Sequence, residues 1–361
     1  DWGDGQTTTG VTHRTTSIDT GAGSSNTEVG TLSGGVWTSG VTHTYADNGT
    51  FVVFWTSGNR ISGTVNIADS KKWRNETKVT IGGTHAGNVS PESKVQPIIQ
   101  VQDNTTDNFT YQVAAIDPNS GDNLHYRWGT WQEFVDNTSG TYYPPTGMSL
   151  SSTGYIQWDV RDSVLEDDAP VNNSAVSNSG KADAMWLALI MVEDNGTSGD
   201  NKSYIPIDFF FKIACATCAP PPFTVFPSGT QTVSVNNEKI FTIKSKDDST
   251  SAPTISVISS CSDNSSIWST SSSNSMVGED NITTFTISFT PDSSMGGTTC
   301  VVPIRSTDVD GMTKDQSLSI QISAVANADP TAPILISPAD DANVTSPVTF
   351  RFAGSTDSDG D

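Results

Sequence analysis

Acidic turns recur along this chain at a near-constant interval, and each one ends a short run of alternating apolar residues. Phe109-Thr110-Tyr111-Gln112-Val113-Ala114 leads into Asp117-Pro118-Asn119-Ser120-Gly121-Asp122, Ile240-Phe241-Thr242-Ile243-Lys244 into Asp247-Asp248, and Val348-Thr349-Phe350-Arg351-Phe352 into Asp357. The three turns lie about 110 to 130 residues apart. A second series marks later strands: Trp186 to Val192 runs into Glu193-Asp194-Asn195-Gly196, and Val302 to Thr307 into Asp308-Val309-Asp310-Gly311. Two interleaved series with one period call for repeated small domains and exclude one large fold.

Alternation with period two is the signature of a half-buried strand, and no window of a dozen residues holds helical spacing without Gly, Pro or β-branched interruption. Of 361 residues only 34% are hydrophobic and 16% charged, Ser, Thr, Asn and Gly filling the remainder. Such a chain buries several small cores between short strands, which makes it all-β. Ser90-Pro91, Ala219 to Pro222, and Asn327 to Pro333 are stiff Pro-containing joints. They divide the chain at 1–87, 88–218, 219–326 and 327–361. Joints this short favour a rod in which each module adds roughly 40 Å. No run of eighteen apolar residues occurs, so no membrane span or membrane contact is expected in this segment.

The net charge is −22, from 40 acidic and 18 basic residues, which argues against nucleic acid and for cations as ligands. The acids cluster in the turns. Several carboxylates beside a flexible glycine can offer the oxygen ligands that calcium takes, so calcium is the expected cofactor. Asp117, Asn119 and Asp122 form the best set, with Asp194 and Asp200 on a late loop that can reach the same end of a sandwich. Asp308 with Asp310, and Asp357 with Asp359 and Asp361, come next. The plain alternative is an Asx turn, in which Asp or Asn caps the backbone two residues on. Both readings stay open.

Cys261 follows the strand-like Thr254 to Ile258 and Cys300 opens Cys300 to Ile304, so a disulfide can pin two strands of one sandwich, worth about 4 kcal/mol in the loop-entropy model. Cys215-Ala216-Thr217-Cys218 reads as a local disulfide stiffening the joint ahead of Pro220-Pro221-Pro222. A redox CxxC would open a helix, and zinc would need a second ligand pair. Twelve Asn-x-Ser/Thr sequons occur, at Asn48, Asn75, Asn88, Asn104, Asn108, Asn137, Asn172, Asn195, Asn201, Asn264, Asn281 and Asn343. About six would arise by chance at this Ser/Thr content. Sequons and cysteines together point to an extracellular or cell-surface glycoprotein.

No catalytic residues are assigned. His13, His43, His85 and His125 are isolated, and neither a nucleophile elbow nor a phosphate loop is present. Trp128, Trp131, Tyr142 and Tyr143 could form a sugar-stacking platform, although a sandwich usually buries its aromatic rings.

Asp1-Trp2-Gly3-Asp4-Gly5, His43-Thr44-Tyr45 and Gly49-Thr50-Phe51-Val52-Val53 resemble the turn and strands of a PKD domain, with a long Gly/Ser/Thr insertion from Gln6 to Gly40 and no opening strands. The segment 88–218 is similar to the cadherin-like, dystroglycan-type Ig-like repeat, through Phe109 to Asp122, Gly147 to Ile156 and Val192-Glu193-Asp194. The segment 219–326 is a more divergent relative. Pro333 to Pro338 is similar to the opening of a fibronectin-III or Ig-like module, so 327–361 is expected to hold only its first strands. The resemblance implies a string of Ig-like and PKD-like β-sandwiches from a large extracellular adhesive or fibrous protein, an adhesin or mastigoneme-like appendage. Such modules act as calcium-stiffened spacers and contact surfaces toward other copies or cell-surface glycans. The alternatives are accessory modules of a secreted hydrolase and a carbohydrate-binding segment.

Overall fold

A computed structural model describes residues 1–19, 24–61, 64–67, 72–102, 108–119, 121–135, 140–160, 185–195, 201–214, 219–247, 251–262, 264–324, 333–338, 343, 345–346 and 349–355. Among the described residues the regular structure is almost all strand. The first are β1 (Val11–Asp19), β2 (Ser24–Ser33), β3 (Val36–Ser39), β4 (Gly49–Asn59) and β5 (Lys72–Ile81). Then come β6 (Glu92–Ser93), β7 (Ile98–Gln102), β8 (Phe109–Gln112), β9 (Ala115–Ile116), β10 (Leu124–Trp128), the one-turn helix α1 (Trp131–Phe134), β11 (Met148–Leu150), β12 (Tyr155–Trp158), β13 (Met185–Asp194) and β14 (Ser203–Ala214). The third group is β15 (Phe223–Val225), β16 (Thr230–Ser234), β17 (Lys239–Asp247), β18 (Thr254–Val257), β19 (Trp268–Val277), β20 (Asp280–Phe289), β21 (Thr299–Thr307) and β22 (Thr313–Ser323). A pair, β23 (Leu335–Ser337) and β24 (Arg351–Phe352), follows.

The central strand β13 is apolar at nearly every position because both of its faces are covered. Trp186, Ala188, Ile190 and Val192 point into a core shared with Tyr111, Ile156, Trp158, Phe209 and Phe211. This is the sandwich between the β10-β13-β14 sheet and the β11-β12-β8 sheet. Leu187, Leu189 and Met191 point the other way, into a second core with Ile67, Trp131, Phe134 and Tyr142. Trp131 and Tyr142 are therefore core residues. Trp128 is half-buried against Tyr142, Tyr143 alone of the four being exposed, so no aromatic platform forms.

The boundary drawn at residue 87 is crossed by a sheet. β4 and β5 continue the β10-β13-β14 sheet, Lys78 pairing with Tyr204. Arg60 reaches Asp208 at 2.7 Å and donates to the Phe134 carbonyl at 2.7 Å, while Trp73 Nε1 donates to the same Asp208 carboxylate at 2.8 Å. The first segment thus backs the second module rather than standing apart from it. The opening turn closes as its residues suggest: His43 meets the Asp4 carboxylate at 2.7 Å and stacks on Trp2 at 4.8 Å, and Tyr45 donates to the Trp2 carbonyl. Gly3, at φ 77, lies where a Cβ would meet the Val52 carbonyl oxygen at 2.6 Å, so only glycine fits. Within the stretch from Gln6 to Gly40, β1, β2 and β3 pair antiparallel in the order β1-β2-β3.

The third module is a sandwich of the β15-β17-β20-β19 and β16-β22-β21-β18 sheets. Its core holds Phe241, Ile243, Ile287, Phe289, Val302, Ile304, Leu318 and Ile320. Cys261 and Cys300 are disulfide-bonded, with Cα atoms 5.8 Å apart. In both the second and the third module an early strand runs parallel to the last: β7 beside β14, and β16 beside β22.

The second and third modules do not string out end to end. Ala114 and Ile116 pack on Val301, the Thr313 amide donates to Gln100 Oε1 at 2.9 Å, and Ser317 Oγ donates to the Lys94 carbonyl. On the same outward face of β21 and β22 the guanidinium of Arg305 forks onto Asp315 at 2.8 and 3.0 Å, both residues buried. A lateral contact replaces the expected rod at this joint, because the outer face of the β21–β22 pair carries an apolar residue where a free sheet would be polar.

Candidate metal centre

The early and late turns meet. Asp117 follows β9, Asp122 ends the same turn, and Asp194 is the last residue of β13, paired with Leu124 at the start of β10. Hydrogen-bonded register therefore carries a residue from a turn 72 positions away onto the early turn. Asp117, Asp122 and Asp194 can each offer an oxygen so that all three atoms lie within 4.8 Å of one another. Asp194 is fully buried and Asp117 is 7% exposed.

The turn uses only part of this donor set. Asp117 Oδ1 accepts the Asn119 amide at 2.7 Å, which is an Asx turn, while Asp117 Oδ2 is buried with no hydrogen-bond partner. Capping thus occupies one oxygen of the carboxylate and leaves the other for a further interaction. Asn119 is committed elsewhere: its Oδ1 accepts from the Val89 amide at 2.7 Å and its Nδ2 donates to the Gly87 carbonyl at 3.3 Å. It pins the joint between the first two segments.

Among the described residues Lys202 supplies a cation to the cluster, its ammonium on the Asp122 carboxylate. That contact holds the lysine above its ordinary range, while burial, then Asp194 and Asp122, push Asp117 up to about 6. Three carboxylates against one ammonium leave a surplus of negative charge in a site that opens onto a groove of about 550 Å³ between the second and third modules. The candidate ligand atoms of the cluster are carboxylate oxygens, the ligand type that calcium takes. Lys202 escapes sequence reasoning because nothing in its own neighbourhood marks it.

The third module repeats the arrangement in reduced form. Asp308 Oδ1 accepts the Asp310 amide at 2.9 Å and the Met312 amide at 2.7 Å, an Asx turn, and burial raises its pKa. The charge of Asp247, the last residue of β17, also raises it. Asp310 is exposed and stands apart as a ligand. Asp200, Asp357, Asp359, Asp361, Cys215 and Cys218 lie outside the described residues, as do the sequons at Asn104, Asn137 and Asn172. Of the other sequons, Asn48, Asn108, Asn264 and Asn343 are exposed, and Asn75, Asn88, Asn195, Asn201 and Asn281 are half-buried.

Parallel pairing of an early strand with the last one, two facing sheets and apolar alternation define the second and third modules as Ig-like β-sandwiches in tandem. Residues 1–82 match the family described as integrin beta-like protein A-E, N-terminal; the model that matches this segment carries that description, not the PKD one. Among solved structures, Drosophila N-cadherin EC1-4 is 13% identical, with 86% of this chain and 67% of that one covered and a TM-score of 0.25. The N-terminal Ig1-2 module of the Drosophila receptor protein tyrosine phosphatase DLAR is 14% identical, covering 66% of this chain and 100% of that one, with a TM-score of 0.22. A titin Ig tandem is 10% identical over 65% and 97%, with a TM-score of 0.20. Scores this low carry no module-by-module alignment, and the fold is read from the strands themselves. A search of curated proteins returned no match. Among the described residues no helix is long and apolar enough to cross a membrane.

Proposed function

We propose that this chain is a non-catalytic segment of an extracellular adhesive or fibrous surface protein, in which Ig-like sandwiches serve as spacers and contact surfaces and calcium stiffens the turns. The observation that supports it best is the second-module cluster: three carboxylates from two turns, one carrying a buried oxygen with no hydrogen-bond partner, at the mouth of the groove between modules. Calcium at Asp117, Asp122 and Asp194 would tie the β9–β10 turn to the end of β13 and fix the wall against which the third module rests. Asp308 with Asp247 forms a weaker second position. The exposed sequons Asn48, Asn108, Asn264 and Asn343 are the glycan carriers of this reading, and other copies of the protein or surface glycans are its partners.

The test is thermal melting of the recombinant chain in calcium and in chelator, beside adhesion of beads coated with it to each other and to cells. Calcium-dependent stabilisation with calcium-dependent bead adhesion is expected. Identical melting in both buffers would remove the metal, and beads that adhere to nothing would remove the adhesive role.

A further inference from the structure

Strand β19 is built unlike every other sheet edge described. It runs ten residues, Trp268 to Val277, pairing with β20 on one side without a register shift, and no strand pairs its outer side among the described residues. From Ser269 onward every residue is exposed. Natural edges are blunted by charge, proline, bulges or shortness. Here β1 carries His13, Arg14, Asp19 and a register shift, and β4 has a shift near Ser57 and on its outer side the Phe54 amide donates to the Asp1 carbonyl. The remaining edge strands have at most five residues. β19 has none of these devices, and no residue from Asn264 to Gly278 is charged.

That neutrality selects a partner. Two copies of a chain with net charge −22 repel, and they can approach closely only where the charge is absent. An isologous contact also requires the surface to complement itself. Antiparallel pairing of β19 with its own copy, with the two-fold axis at Ser272, sets Ser272 against itself, Ser271 against Ser273, Thr270 against Asn274, and Trp268 against Met276. Met276 and Val277, 68% and 63% exposed, then reach the base of the opposite strand. A cleft opens there between β18 and β19, lined by Ile255, Val257, Trp268 and Phe285. The exposed apolar end of one strand thus matches the apolar cleft at the other end.

We propose that β19 pairs with β19 of a second copy across a two-fold axis, joining two four-stranded sheets into one continuous sheet and seating Met276 in the partner's cleft. This rests on the assembly part of the reading above and not on the metal, so the assay is run in chelator.

Light scattering on the full chain should give twice the mass of one chain, falling to one on dilution. Ser271→Lys with Ser273→Lys, and separately Ser271→Glu with Ser273→Glu, should each be monomeric, and mixing the two should restore a dimer. Met276→Asp should weaken the wild-type dimer at least tenfold. Circular dichroism of each variant should match the wild type, since these side chains are exposed. A monomeric wild type, whether bare or carrying glycans on the serines, overturns the proposal. So does a dimer that the lysine pair leaves intact, or a mixture that stays monomeric.

Discussion

Asp117→Asn separates a metal ligand from a turn cap, because asparagine keeps the oxygen that accepts the Asn119 amide and loses the charge on the buried one. Two unit charges about 5 Å apart repel by about 3 kcal/mol at an effective dielectric of 20, and Lys202 offsets part of this. Asp117 is displaced from 3.8 to about 6, so the fold disfavours its ionised form, and that cost is present above about pH 6. With solvent reaching the site through the groove, the cost is on the order of 2 kcal/mol. In chelator at neutral pH the asparagine variant should therefore melt higher than wild type by roughly 4–8 °C. Calcium at a hundred times its dissociation constant adds about 2.7 kcal/mol to the wild type, inverting that order, and adds much less to the variant. Differential scanning calorimetry of both proteins in both buffers gives the four numbers needed. If calcium moves neither protein and the variant is destabilised equally throughout, Asp117 is a cap and the centre is refuted.

Further outcomes follow from other contacts. Lys202→Gln removes the ammonium from Asp122 and should lower the melting temperature in chelator while enlarging the gain on adding calcium. Arg305→Met leaves the Asp315 carboxylate buried at the contact between modules and should cost about 3–5 kcal/mol in urea unfolding, whereas replacing both by apolar residues should recover most of it. Burial pushes the Lys314 ammonium, which lies over Phe109, down to about 8. Its folded pKa is depressed, so its contribution should grow as pH rises from about 8 toward 10.5 and be lost below; Lys314→Met should remove that slope from the wild-type stability curve. Reduction of Cys261–Cys300, residues 39 apart in sequence, should cost about 4 kcal/mol of third-module stability.

The periodic turns were readable in advance because capping and ligation use the same short polar residues beside the same strands. Asp117, Asp122 and Asp194 announce themselves locally, and strand pairing brings them together. Arg60 and Asp208 do not, being 148 residues apart and meaning nothing until β5 lies beside β14. The same holds for the side-by-side contact of the second and third modules, which depends on Val301 occupying an outward position of β21. The type of Asn119 marks it as a possible ligand, and its bonds to Val89 and Gly87 show a structural duty that sequence does not reveal. In β19 the run of serines looks like loop, yet its backbone is held by β20, whose own alternation at Thr283, Phe285, Ile287 and Phe289 is what makes the hairpin.

The parallel pairing of an early strand with the last one has a mechanical consequence. When tension is applied through the joints, β7 is drawn one way and β14 the other along their common axis, and the five residue pairs between them share the load at once. The same holds for β16 and β22. Had these strands been antiparallel, the pull would open them one bond at a time, like a zip. Single-molecule stretching should accordingly give one high-force rupture for each of the two modules, and a low plateau of gradual unpeeling would contradict the shear geometry.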